Sequence, residues 1–217
     1  MRDMGHDVFR LGLHHKEDTK EQGKIRKELE KIRKALDVID SSVITENLWG
    51  ERWAKLCQNC MGNPVVAMSN LGTAELASDE VCRKLQINLA REATEIGEKL
   101  GLNFDKFGGA SRDMWLQSDD KDIYLELDTM IKKRSNGPNR RPSMGQDIHR
   151  GRKTEILHMS GHVLAEARAL KIDLPYTKKT METVIQIDSG IIQPNLNNVY
   201  KIINSCLLYT SPSPRDS

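Results

Sequence analysis

A multi-helix, all-α domain preceded by a short strand and helix is the fold this sequence predicts, and three observations predict it. Apolar residues recur at three- and four-residue steps in several separate segments, the period of helices that bury one face. Strand-like alternation stands out at His6-Asp-Val-Phe-Arg-Leu-Gly12, a short run ending in glycine. The composition, 38% hydrophobic and 29% charged over 217 residues, supplies one substantial core and part of another.

After that strand and a polar loop, Ile25, Leu29, Ile32 and Leu36 keep helical spacing within a heavily charged segment. One strand and one helix do not make a domain. The sequence Asn70-Leu-Gly72-Thr then loosens the chain before Ser78-Asp79-Glu80 restarts a helix, with a capping residue and acids in its first turn. Val81, Leu85, Leu89, Ile96 and Leu100 hold its core face, and Gly101 stops it. Residues 103–142 carry a loop at Gly108-Gly109, a helix around Ile123 to Ile131, and the basic run from Lys132 to Pro142, read as a solvated loop. Ser143 and Gln146 have capping-box spacing and open the next helical stretch. Ile156, Val163, Ala167 and Leu170 form a packing stripe there, with small Ser160 and Gly161 allowing a neighbour close. After Leu174-Pro175 a last helix runs from about Lys178 to Ile187.

The segment Trp53-Ala-Lys-Leu-Cys-Gln-Asn-Cys-Met-Gly-Asn63 carries the candidate chemistry. On a helix, Lys55, Asn59 and Asn63 fall along one polar stripe, while Trp53, Leu56, Cys57, Cys60 and Met61 take the other side. An amine and two amides thus line up on one face of a helix whose back enters a core.

Trp-x-Lys-Leu-x-x-Asn-Cys-x-x-Asn-Pro resembles the signature that opens the helical C-terminal domain of the ketopantoate reductase (2-dehydropantoate 2-reductase) family. A second block, Ser143-Met-Gly-Gln-Asp followed by Gly151-Arg-Lys-Thr-Glu155-Ile and Gly161, resembles that family's other signature at the expected spacing. Together they cover roughly residues 44 to 190. The resemblance implies a helical domain like the C-terminal domain of 6-phosphogluconate dehydrogenase over 43–204, and makes residues 1–42 the remnant of a Rossmann domain. No G-x-G-x-x-G occurs in the chain, so the main cradle for the cofactor phosphates is missing from it. The stretch from Cys206-Leu-Leu-Tyr-Thr-Ser through Pro-Ser-Pro-Arg-Asp216 reads as a translated sequencing adaptor. Residues 205–217 are expected to be a disordered tail.

Family members reduce a 2-oxo acid to a 2-hydroxy acid with NADPH, on the route to pantothenate and coenzyme A. As hydride reaches the carbonyl carbon, negative charge grows on oxygen, and a nearby ammonium both stabilises that charge and delivers the proton. Lys55 matches the family's catalytic lysine. Asn59 and Asn63 match substrate-binding positions, as does Ser143, whose place at a helix N-terminus suits a carboxylate. Glu155 matches a cofactor-contacting acid. Twelve residues of unbroken helix would hold Ser143 and Glu155 about 18 Å apart, so sharing one cleft requires a long ligand or a break, with Gly151 the candidate. Thr73 stands where the family often carries a substrate-contacting Asn, which opens the identity of the 2-oxo acid. The partners implied are a small-molecule 2-oxo acid and a homodimer.

A charge of +2 from 33 basic and 31 acidic residues is too balanced to mark a nucleic-acid partner. No apolar run approaches the roughly 20 residues of a membrane helix, and the expected compartment is the cytoplasm. Cys57-Gln-Asn-Cys60 lacks the second pair of a zinc site. Glu155, His158 and His162 share a helix face without a metalloprotease arrangement, so no metal is assigned. A helical interaction or oligomerisation module, or a reductase of a different 2-oxo acid, are the alternatives.

Overall fold

The computed structural model describes residues 9–13 and 22–210, and within these the chain divides into two compact units that meet between Trp53 and Ala54. His6 to Val8 of the expected strand and residues 211–217 of the expected tail lie outside the described residues.

In the first unit, β1 (Phe9–Leu11) pairs in parallel with β2 (Ser42–Ile44), and α1 (Gln22–Leu36) forms the crossover. A parallel pair requires such a connection, because the chain must return to the same end before it can pair. Sequence periodicity misses β2, which is three residues long. It is fixed instead by polar contacts at the end of α1. The Ser42 hydroxyl contacts the Arg33 carbonyl at 2.8 Å and donates to Asp37, and the bond to Asp37 holds that carboxyl below its ordinary range.

Helix α2 (Leu48–Ser69) begins in the first unit and runs into the second. The second unit is helical apart from one hairpin. It contains α3 (Thr73–Ser78), α4 (Glu80–Lys99), the strands β3 (Lys106–Phe107) and β4 (Ala110–Ser111), α5 (Arg112–Leu116), α6 (Lys121–Lys132), a 3-10 turn (Lys133–Asn136), α7 (Ser143–His149), α8 (Ser160–Leu170), α9 (Pro175–Asp188) and α10 (Leu196–Thr210). The all-α expectation for this region is met. Helix α4 is its axis, packing against α3, α5, α6, α8, α9 and α10. Its predicted face is buried at Leu85, Leu89 and Ile96. The residue that starts α4 is Asp79, whose carboxylate accepts from the Cys82 N–H at 2.8 Å.

Two expectations are corrected here and two are sharpened. Gly108-Gly109 is a two-residue hairpin turn with φ of +61° and +96°, backbone that glycine adopts without a Cβ clash. Ser143 is the first residue of α7 rather than its cap, which is Pro142, and Gln146 donates to the Arg141 carbonyl instead of closing a capping box. The basic run is mostly exposed, as expected, but it is also tied to the domain: Asn139 accepts the Ala74 N–H at 3.0 Å at the start of α3, and Arg134 reaches the Gly108 carbonyl. Finally, α10 continues the helical domain past the expected boundary at 205. Val199, Ile202, Ile203 and Cys206 are buried, and the Tyr200 hydroxyl donates to Asp79 at 2.8 Å. Apolar residues at three- and four-residue steps from Val199 to Cys206 give that helix a core face, so the tail cannot begin at 205.

Candidate functional site

Helix α2 divides as its sequence predicts. Trp53, Cys57, Cys60 and Met61 are buried, Asn59 and Asn63 are half-buried, and Lys55 is exposed. Cys57 and Cys60 are free thiols that sit deep in the core, where burial pushes Cys57 well up and Cys60 up to about 12. Pro64 follows directly on the polar stripe. Having no N–H, it leaves the Cys60 carbonyl without its usual helical donor and removes one rung of the ladder there.

The stripe leads to α7. Val66 lies eleven residues beyond Lys55, about 20° from it around the helix, and is buried. A Cβ placed on Gly145 of α7 would stand 2.5 Å from Val66 Cγ1, so the two helices touch through the missing side chain. The first turn of α7, with Ser143, is thereby seated at the far end of the helix that carries Lys55, Asn59 and Asn63.

The break anticipated near Gly151 is present. Helix α7 ends at His149, Gly151 takes φ of +65°, and α8 does not start until Ser160. The chain folds back far enough for the Ser143 hydroxyl to donate to Glu155 Oε1 at 3.3 Å, where a continuous helix would have kept the residues about 18 Å apart. Both residues are exposed. Together they form a hydroxyl and carboxylate pair facing solvent, able to receive a polar ligand. The structure thus joins Ser143 to Glu155 and brings α7 onto α2. Among the described residues no hydrogen bond or ion pair links Lys55 to Ser143 or Glu155.

Three contacts near the site were not legible in the sequence. Thr73 receives the Arg140 N–H at 3.0 Å on its hydroxyl and gives its own N–H to the Arg140 carbonyl at 2.8 Å. The position expected to meet substrate is therefore occupied by the basic segment. Arg141 donates to the Asn70 side chain and carbonyl at 3.2 and 3.3 Å, closing the C-terminus of α2, where Asn70 is left-handed at φ +64°. Thr154, beside Glu155, is held by Asp188 from the end of α9. The signal for each lay in side chains far apart in the sequence. His158 and His162 are exposed, and His162 faces Glu166 at 4.0 Å.

These features define a helical domain in which α7 packs on the helix that carries the polar stripe, and a serine and an acid pair across a helix break. The family described as "Ketopantoate reductase PanE/ApbA C terminal" matches residues 47–188. The chain belongs to the ketopantoate reductase family. It is similar to the 2-dehydropantoate 2-reductase of Pyrococcus horikoshii, 25% identical over 132 residues that make up 61% of this chain and 38% of the relative. It is also similar to that of Mesorhizobium japonicum, 29% identical over 113 residues, 52% of this chain and 29% of the relative. The chain thus spans well under half the length of these curated relatives. Among solved structures, the 2-dehydropantoate 2-reductase of Geobacter metallireducens shares the fold with a TM-score of 0.61 at 21% identity, over 84% of this chain and 53% of that one. A D-mandelate dehydrogenase solved with NADH shares it at 0.62 and 18% identity, over 85% and 55%. Among the described residues no helix is long and apolar enough to cross a membrane.

Proposed function

We propose that this chain is the substrate-binding and catalytic half of an NADPH-dependent reductase that converts a 2-oxo acid, 2-dehydropantoate or a close analogue, to the 2-hydroxy acid in the cytoplasm. The dinucleotide-binding half would be supplied by sequence beyond this chain. On this reading β1, α1 and β2 belong to that half, and the present residues alone do not turn over. The observation that carries the proposal is the pairing of Ser143 with Glu155 at 3.3 Å across the helix break, next to the helix that carries Lys55. Two residues assigned to ligand from separate parts of a signature become neighbours only because the helix stops.

In this scheme Lys55 stabilises the oxyanion as hydride arrives and donates the proton to it. Asn59 and Asn63 hold the substrate's oxygens by their amides, which can donate and accept without competing for that proton. Ser143 binds the substrate from the first turn of α7, and Glu155 contacts the cofactor. The nicotinamide supplies the hydride. A homodimer fits the reading, since one structural relative is a dimeric ketopantoate reductase from Staphylococcus aureus.

One observation favours a second reading. The exposure of Lys55 is what a helical interaction module with a solvated polar face would show. Turnover separates the two. In the protein extended by its upstream coding sequence, Lys55→Ala should leave the melting temperature in place and lower NADPH oxidation with 2-dehydropantoate by about 10²–10⁴-fold, the usual worth of a general acid. Unchanged turnover removes Lys55 from the mechanism, and no turnover by the unsubstituted protein with any of a panel of 2-oxo acids favours the interaction module.

A further inference from the structure

The residues that follow Gly151 run without regular structure to the turn at 155–159, yet Glu155 stands 3.3 Å from the Ser143 hydroxyl. Its support is visible on both sides. On the C-terminal side, the Glu155 carbonyl accepts from the His158 and Met159 N–H groups at 2.9 and 3.2 Å, and Ile156 and Met159 are buried. On the N-terminal side, the backbone N–H of Thr154 points at both oxygens of Asp188, at 3.3 and 3.2 Å. The Thr154 hydroxyl donates to Asp188 Oδ2 at 2.7 Å. The same hydroxyl receives the Ile156 N–H at 3.5 Å, so it bridges the acid to the turn that carries Glu155.

Asp188 is the last residue of α9, a helix whose Val184 and Ile187 are buried in the core. The acid is therefore an extension of the rigid domain, clamping an irregular segment at the residue before the ligand-facing carboxylate. We infer that Asp188 is a positioning residue for Glu155, acting through Thr154, and sets the reach of that carboxylate toward the cofactor. The inference rests on the reductase reading for what Glu155 contacts, and on the hydrogen bonds alone for how Glu155 is held.

Two measurements on Asp188→Ala, Asp188→Asn and Thr154→Val test it. In the 217-residue chain, followed by NMR, Asp188→Ala should move the Thr154 and Glu155 amide resonances and hasten hydrogen exchange at the Thr154 amide. Asp188→Asn, which keeps an oxygen to accept from Thr154, should restore most of the parent behaviour. In the extended protein, Asp188→Ala and Thr154→Val should each raise KM for NADPH about fivefold, the scale of one lost hydrogen bond, with kcat within about twofold. Asp188→Asn should leave KM near the parent value. The inference is overturned if the Thr154 and Glu155 resonances ignore Asp188→Ala, if Asp188→Asn is as disruptive as Asp188→Ala, or if KM is unmoved in an active enzyme. An extended protein without reductase activity refutes the reductase reading instead, and leaves the NMR result to decide the clamp.

Discussion

Two glycines, one inside α2 and one where α7 rests on it, show how position decides what a residue does. Gly62 lies inside α2, and a Cβ there would meet nothing within 4 Å. Gly145 lies where α7 meets α2, with Val66 Cγ1 at 2.5 Å from its would-be Cβ and the Arg141 stem at 3.0 Å. Gly62→Ala should therefore stabilise the chain by about 0.5–1 kcal/mol, through the lower entropy of its unfolded state and better helix propensity. Gly145→Ala should cost about 1–3 kcal/mol by forcing the helices apart. Denaturant melts of the two variants check both signs. A neutral Gly145→Ala would mean that α7 does not rest on α2, and would detach Ser143 from the stripe of Lys55, Asn59 and Asn63. At this scale the sequence disclosed the residue types of the candidate site. It could not disclose that Asn139, Arg140, Arg141 and Asp188 attend it, because their partners are distant along the chain and depend on how loops cross.

At the scale of an element, α9 depends on a residue of another helix. Its first free amides, Tyr176 and Thr177, donate to Glu92 of α4 at 3.0 and 2.7 Å. An acid near a helix N-terminus is favoured by the macrodipole and by the unpaired N–H groups. Burial nevertheless dominates and raises the Glu92 carboxyl to about 7, against the pull of those hydrogen bonds. The folded state thus holds the proton more tightly than the unfolded chain does, with its ordinary carboxyl range near 4.3. The contribution to stability is fully present below that range and is lost as pH rises through about 7. Between roughly pH 4.5 and 7 this one group should lower unfolding free energy by about 3 kcal/mol, a slope that Glu92→Gln removes. Urea melts across that interval compare the two proteins, and parallel pH profiles would show that Glu92 titrates alike in both states. Helix α4 was legible from its periodicity and its acidic first turn. The tie from α4 to α9 was not, because a single buried Glu among charged neighbours looks like surface until its partner helix is in place.

Across the whole molecule, the four cysteines are free and buried on α2, α4 and α10, and burial raises all four thiols. A thiol reagent such as DTNB needs thiolate and access, so the native protein should react far more slowly than the same protein in denaturant. Fast labelling of one cysteine without denaturant would place that segment outside the core. Cys206 is the sharpest case, since composition assigns it to a tail whereas the structure buries it in α10. Local hydrophobic periods made the helical class, most helix positions and the polar stripe of α2 readable in the sequence, because a helix that buries one face repeats that face every three or four residues. The two signature blocks likewise marked which residue types would bear the chemistry. Only the tertiary structure decided that Ser143 and Glu155 meet, that the basic segment covers Thr73, and that the chain past 205 belongs to the core. Those outcomes depend on where one helix stops and which distant side chains then come within hydrogen-bonding distance, and no local period in the chain encodes that.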